Sequence, residues 1–226
     1  MAKTRHPPET LSAATLLARY SVGIFPMAEE RDDDEVFWID PEWRGILPLD
    51  KFHLPQRLAR RMRATKWCTT VDTAFDKVIA ACAEPAAGRP KTWINRLIER
   101  SYINLHAKGH AHSVEVWDEE ALVGGLYGVS IGAAFFGESM FSRQTDASKI
   151  ALVHLVARLK AGKYKLLDTQ FVTEHLLQFG AIEIPRGKYQ DMLHAATDAR
   201  ANFYELGGAG AAVCVGTVLQ LITQTS

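Results

Sequence analysis

The chain has 226 residues, 47% of them hydrophobic and 23% charged, which supplies enough apolar material for a real core and excludes a disordered chain. Its 26 basic and 26 acidic residues cancel, which argues against a protein that coats DNA by bulk charge. No apolar run reaches the roughly 18 residues that a membrane helix needs. The first twenty residues lack the apolar core of a secretory signal, and three scattered cysteines (Cys68, Cys82, Cys214) fit a reducing cytoplasm rather than a disulfide framework.

Residues 9–20 read as a short helix carrying Leu11, Leu16, Leu17 and Tyr20, broken by Gly23 and Pro26. The acidic run 29–35 (EERDDDE) reads as a solvated loop. Residues 36–49 hold two tryptophans and two prolines, which predicts short strands and turns, with a soft boundary near residue 45. The run 56–66 carries Arg57, Arg60, Arg61, Arg63 and Lys66 with no acid. If helical, it gathers basic side chains on one face and sets Leu58 and Met62 on another. Like charges this close repel, and a polyanion relieves them, so a phosphate-binding helix and a plain exposed helix stand as alternatives.

From Trp93 to Ala107 the apolar spacing is helical, ending at Lys108-Gly109. The period then changes to two. His112–Trp117 and Ala121–Tyr127 predict a hairpin about an acidic turn, and a third strand covers Ala133–Glu138. Asp146 is placed to cap a helix that runs to Gly162, and Lys165–Thr169 reads as a buried strand. A short helix at Thr173–Phe179, a strand at Ile182–Ile184 and a last helix at Tyr189–Phe203 follow. This order implies a mixed sheet covered by helices, hence α/β or α+β. The uncharged, glycine-rich tail 206–226 gives no assignable element and is expected to be loosely ordered.

Polar residues among apolar ones mark the candidate chemistry. Glu138 stands between aromatics, where an unpaired carboxylate is costly to bury, so it is either a solvated turn residue or a deliberately placed group. Asp168 and Gln170 lie two apart at the end of a strand; side chains at that spacing share a side, so the pair either converges on a cleft or merely ends the strand. His110 and His112 form a His-x-His pair without further ligands, and metal binding is disfavoured. Ser139 lacks the G-x-S-x-G setting of a serine nucleophile, and neither GxGxxG nor GxxxxGK[ST] occurs.

Taken together, the strings say more. Tyr20-Ser-Val-Gly-Ile-Phe-Pro26, Thr92-Trp-Ile94, the run His110–Trp117, Leu122-Val-Gly-Gly-Leu-Tyr-Gly-Val129, Phe136-Gly-Glu-Ser-Met-Phe-Ser142, Ala147-Ser-Lys149, Leu167-Asp-Thr-Gln170 and Ile184-Pro-Arg186 occur in this order. Over residues 11–203 the chain closely resembles the bacterial leucyl/phenylalanyl-tRNA–protein transferases. The resemblance implies an α+β fold: a small N-terminal domain (1–45), an N-acetyltransferase-like (GNAT) mixed-sheet domain (46–205) and an unassigned tail. It implies transfer of leucine or phenylalanine, with methionine as a further donor, from charged tRNA to proteins beginning with Lys or Arg, which marks them for proteolysis. No cofactor and no metal are implied, and a cytoplasmic monomer is expected.

By the same resemblance, Asp168 and Gln170 form a relay for the amine proton, Asp168 orienting Gln170, and Glu138 binds an amine. Leu126, Phe135, Gly137, Ser139, Leu155, Leu159 and Leu167 are expected to line the aminoacyl pocket. Trp93 and Met27 would hold the terminal adenosine, and Arg57, Arg60, Arg61, Arg63 and Lys66 would meet tRNA phosphates. Met27 replaces the family's usual tryptophan, and Asp146 its usual asparagine. Two rivals are a coenzyme-A-dependent N-acyltransferase, disfavoured because Gln144–Lys149 contains no glycine, and a non-catalytic tRNA-binding module, which leaves Glu138, Asp168 and Gln170 without a purpose.

Overall fold

The computed structural model describes residues 4–5, 11–85 and 91–223. Strands β1 (Thr4–Arg5), β2 (Phe25–Met27) and β3 (Phe37–Ile39) form a small antiparallel sheet in the order β1-β3-β2. Helix α1 (Ala13–Tyr20) precedes β2; Ser12 caps it by accepting from the Thr15 N–H at 3.0 Å, and its Leu16 and Tyr20 face the core. Strand β4 (Trp43–Ile46), helix α2 (Gln56–Ala64), strand β5 (Cys68–Val71) and helix α3 (Phe75–Ala83) follow. Next come α4 (Arg96–Ala107), β6 (Ala111–Asp118), β7 (Ala121–Ile131), β8 (Ala134–Ser142) and α5 (Ala147–Ala161). The chain continues through β9 (Leu166–Gln170), α6 (Glu174–Leu177), β10 (Ile182–Pro185), α7 (Arg186–Thr197) and α8 (Val215–Thr223).

Seven strands form one sheet in the order β10-β4-β9-β8-β7-β6-β5. Every neighbouring pair is antiparallel except β8–β9, which α5 joins by a crossover. The molecule is thus α+β with a mixed sheet, one of the two classes that the residue patterns leave open and the one that the resemblance implies. One face of the sheet packs with α5, α2 and α8; the other packs with α1, α3, α4, α7 and the small sheet. Helix α5 is buried along nearly its whole length, because it lies between the sheet on one side and α8 and α2 on the other.

The β8–β9 pairing positions everything else. It lasts only three registers: Ala134 opposite Leu166, Phe135 opposite Leu167, Phe136 opposite Asp168. Beyond them the strands part, and each carries a bulge at the parting. On β8, Gly137 faces Gly128 and Ser139 faces Tyr127, so Glu138 is the extra residue. On β9, Asp168 faces Ile46 and Gln170 faces Gly45, so Thr169 is the extra residue.

Several elements differ from the sequence reading. Helix α4 starts at Arg96, because Asn95 accepts from the Ile98 N–H at 2.8 Å and so caps the helix; Trp93 is left outside it. Asp146 does not cap α5: it is left-handed at φ 72° and its carboxylate meets Lys149 Nζ at 2.8 Å. Helix α7 begins at Arg186 and stops at Thr197, after which the chain turns so that Phe203 stacks on His112 and Phe135. The acidic run is a solvated loop, as read, tethered where Glu30 pairs with Lys91, Arg31 pairs with Glu99, and Asn95 Nδ2 donates to the Asp33 carbonyl at 2.7 Å. The tail forms α8, with Val218, Leu219 and Ile222 buried, so it is ordered rather than loose.

Gly124 lets α5 approach the sheet. A Cβ there would lie 2.5 Å from the Ala147 Cβ and 2.9 Å from its carbonyl carbon, so backbone must move to admit one. Gly124→Ala is expected to cost about 1–3 kcal/mol, a drop in Tm of about 2–4 °C per kcal/mol in calorimetry; an unshifted Tm would refute this tight approach.

Candidate active site

The parting of β8 from β9 opens a cavity of about 490 Å³ whose lining comes from both faces of the sheet. On the α5 side the walls are Leu126, Met140, Leu152, Leu155, Leu167 and Leu176. On the other side stand Phe25, Met27, Trp93 and Phe171. Trp93 and Met27 are held near each other by the Ala28 N–H, which donates to the Trp93 carbonyl at 3.0 Å. Between the two halves lie Gly137, Glu138, Ser139 and Gln170.

Glu138 is buried, and three donors converge on it. Tyr20 Oη donates to Oε1 at 2.8 Å, Tyr102 Oη to Oε2 at 3.2 Å, and Gln170 Nε2 to Oε1 at 2.9 Å. The two tyrosine hydroxyls also lie against each other. Burial pushes the Glu138 carboxyl up to about 8; the Tyr20 hydroxyl opposes the shift and nearby Asp168 adds to it. With its amide nitrogen spent on Glu138, Gln170 has its side-chain oxygen left to accept. Its backbone is left-handed at φ 57°, a costly conformation for a non-glycine residue and one that tends to persist at functional sites.

Asp168 holds that conformation without touching the cavity. Its Oδ1 accepts from the Gln170 backbone N–H at 2.8 Å and from Arg44 Nε at 2.9 Å. Its Oδ2 accepts from Arg44 Nη2 at 2.7 Å and Tyr189 Oη at 2.6 Å. Both partners of the ion pair are buried. Each carboxylate oxygen is therefore engaged, and Asp168, unlike Glu138, does not border the cavity. Its direct link to Gln170 is the bond from the Gln170 main-chain N–H.

Leu126, Gly137, Ser139, Leu155 and Leu167 all border the cavity, whereas Phe135 and Leu159 do not. Phe135 lies within the three paired registers, where the sheet is closed, and stacks on Phe203 at 5.7 Å. Leu159 sits past the cavity on α5 and is fully buried in the core. Sequence reading missed Met140, Leu152, Leu176 and Phe25 in the walls. It missed Arg44, Tyr102 and Tyr189 behind them as well. Leu152 was within reach of periodicity, since Ser148, Leu152 and Leu155 share one helix face. The basic residues Arg57, Arg60, Arg61, Arg63 and Lys66 are exposed on and just after α2, away from the cavity lining, with the Arg61 guanidinium 4.7 Å from the centre of the Trp67 ring.

Three buried side-chain atoms among the described residues have no hydrogen-bond partner: Tyr127 Oη, Thr169 Oγ1 and His175 Nε2. All three belong to residues that line the cavity.

A mixed α+β sheet parted over an apolar slot, with a buried carboxyl and amide at the parting, forms the candidate active site. Comparison with known sequences gives the family. Residues 46–194 match the family described as leucyl/phenylalanyl-tRNA protein transferase, and residues 9–42 match that family's N-terminal domain. Relatives bearing the name leucyl/phenylalanyl-tRNA–protein transferase include one from Phenylobacterium zucineum, 58% identical over 95% of this chain and 98% of its own length. A second, from Nitrobacter winogradskyi, is 60% identical over 83% of this chain and 84% of its own length. A third, from Paramagnetospirillum magneticum, is 58% identical over 85% and 92%. The chain belongs to the leucyl/phenylalanyl-tRNA–protein transferase family, and is an aminoacyltransferase.

The raised Glu138 carboxyl has a consequence for stability. An exposed glutamate releases its proton near 4.5, but this one keeps it up to about 8, so between those values the folded state binds more protons than the unfolded one. Stability from this group therefore falls as pH rises through that window. Glu138→Gln is expected to flatten the slope of unfolding free energy between pH 4.5 and 8 in urea titrations; a slope identical to the parent's would disprove the shift.

Proposed function

We propose that this protein transfers leucine or phenylalanine from charged tRNA to the N-terminal amine of proteins that begin with Lys or Arg. The observation that carries this reading is the Glu138–Gln170 pair, 2.9 Å apart, at the floor of an apolar slot beside Trp93 and Met27. The slot takes the donor side chain, and the aromatic half takes the terminal adenosine, Met27 packing its thioether against the base more weakly than a ring would. In this division the N-terminal residues 1–45 contribute Met27 and Phe25 to the adenosine side, and residues 46–205 carry the transfer chemistry.

An aminoacyl ester is already activated, so the step needs position more than force. The acceptor's α-amine has an ordinary pKa of about 7.7–8.0, close to the value of about 8 to which Glu138 is raised. A proton can then pass from the α-ammonium to the carboxylate at little cost, in the regime where acid–base catalysis works best. Gln170 Oε1 accepts from the neutral amine and aims it at the ester carbon. The C–N bond forms, the C–O bond to the ribose breaks, and the ribose oxygen leaves with the remaining proton. The walls contributed by Leu152, Leu155 and Leu167 admit side chains that branch beyond Cβ, and since a misplaced methyl costs only about 1–3 kcal/mol, discrimination against Ile and Val is modest.

The direct assay mixes the protein with radiolabelled leucyl-tRNA and a peptide beginning with Arg. Label in the peptide supports the reading, and label that stays on tRNA defeats it. Because Asp168 acts through Gln170, Asp168→Asn is expected to lower kcat by at least about 10²-fold with KM for charged tRNA little changed; the opposite split would remove its positioning role. Replacing Arg60, Arg61 and Arg63 with Ala is expected to raise the KM for charged tRNA and flatten its salt dependence, since each lost phosphate contact reduces the log–log slope by about one. An unaltered slope would exclude phosphate contact by α2.

A further inference from the structure

Helix α2 is a weak element by itself. It has nine residues, fewer than the roughly 12–15 at which isolated helices become even marginal. Pro55 at its N-terminus makes no side-chain cap, and Arg57, Arg60, Arg61 and Arg63 repel at i, i+3 and i+4 spacings. What holds it is the burial of Leu58 and Met62, and its principal packing neighbours are α8 and α5.

Helix α8 is fastened in turn. Val218, Leu219 and Ile222 are buried in the same core as Leu58 and Met62. The segment leading to α8 is bolted at three points. Phe203 stacks on His112 at 4.0 Å between ring centres. Tyr204 Oη donates to Asp72 Oδ2 at 2.6 Å. Arg158, buried on α5, donates from Nη1 to the carbonyls of Phe203 at 2.9 Å and Gly207 at 2.8 Å. None of these residues lines the cavity, and all of the C-terminal ones lie beyond residue 194, where the family match ends.

We infer that residues 203–223 are a brace that fixes the arginine face of α2 in one orientation, so that affinity for charged tRNA, and not the transfer step, depends on the C-terminal segment. The inference rests on the reading that α2 meets tRNA phosphates. A basic helix free to fray or tilt would still carry its charge, but would no longer present it at the spacing of a phosphate backbone.

The test uses the full chain with Val218→Ala and Leu219→Ala together, and Leu58→Ala as the same interface cut from the α2 side should the double variant fail to fold. Three measurements separate the possibilities: amide hydrogen exchange across residues 56–64, KM and kcat with leucyl-tRNA, and transfer from leucyl-adenosine, a donor too small to reach α2. The expected result is faster exchange in α2 and a rise in KM of about tenfold with a shallower salt slope. Saturated kcat and leucyl-adenosine transfer stay at the parent's level. Unchanged exchange overturns the brace itself. Faster exchange with an unmoved KM overturns the inference through its tRNA premise instead. A parallel fall in leucyl-adenosine transfer shows that the tail supports the whole fold, and also overturns it.

Discussion

Arg44 and Asp168 are a fully buried pair of opposite charges, and the geometry of the cavity depends on them. Burying two ions is expensive, and their attraction repays it only with good geometry and further hydrogen bonds. Here both conditions hold. The guanidinium meets both carboxylate oxygens, gives its remaining nitrogen to the Gly23 carbonyl at 2.8 Å, and lies between the rings of Phe25 and Tyr189 at 4.6 and 4.7 Å. Burial alone would lower the Arg44 pKa, but the adjacent Asp168 charge outweighs it and raises it. Four parts of the chain meet at this pair: the loop after α1, strands β4 and β9, and helix α7. Losing either charge would strand the other in the core and release the backbone of Gln170 along with it.

From that anchor the open gap follows. A parallel pair that continued past Phe136 and Asp168 would close the sheet and leave no cavity. Two bulges prevent it, one on each strand, and they place Glu138 and Gln170 across the opening from one another. Gly45 is part of the same device. A Cβ there would fall 2.7 Å from the Phe171 carbonyl carbon and 2.9 Å from the Val172 nitrogen, so only glycine lets β9 turn away so sharply after Gln170. The left-handed strain at Gln170 is thus sustained from two sides, by the Asp168 side chain and by close backbone packing.

How much of this could be read in advance divides by range. The hairpin β6–β7, the crossover helix α5 and the strand ending in Asp168 and Gln170 have local signatures, and they were legible. The partners of the chemistry were not: Arg44 lies 124 residues from Asp168, and Tyr20 lies 118 from Glu138, separations at which no period or spacing speaks. Phe135 and Leu159 lie off the cavity for a related reason. Both are apolar, and both lie close in sequence to true wall residues, but the slot ends where the strands rejoin, and that point is set by three-dimensional register. Helix α8 escaped because glycines and the absence of charge mimic a loose tail, while its stability comes from α5 and α2.

The same long-range partners explain how one carboxyl can serve an amine. Placed alone among the aromatics of β8, Glu138 would simply stay protonated and be inert as a base. Tyr20 and Tyr102 counter part of that tendency by donating to the ionised form, while burial and the Asp168 charge push the other way. The balance leaves the group titrating near the pKa of the amine it is proposed to meet. Asp168 therefore acts on Gln170 through its main chain and on Glu138 through its field, yet it does not border the cavity. The buried ion pair thus fixes the backbone from which the amide projects, while the acidity of the carboxyl beside it is raised chiefly by burial, with Asp168 adding to the shift and Arg44 opposing it.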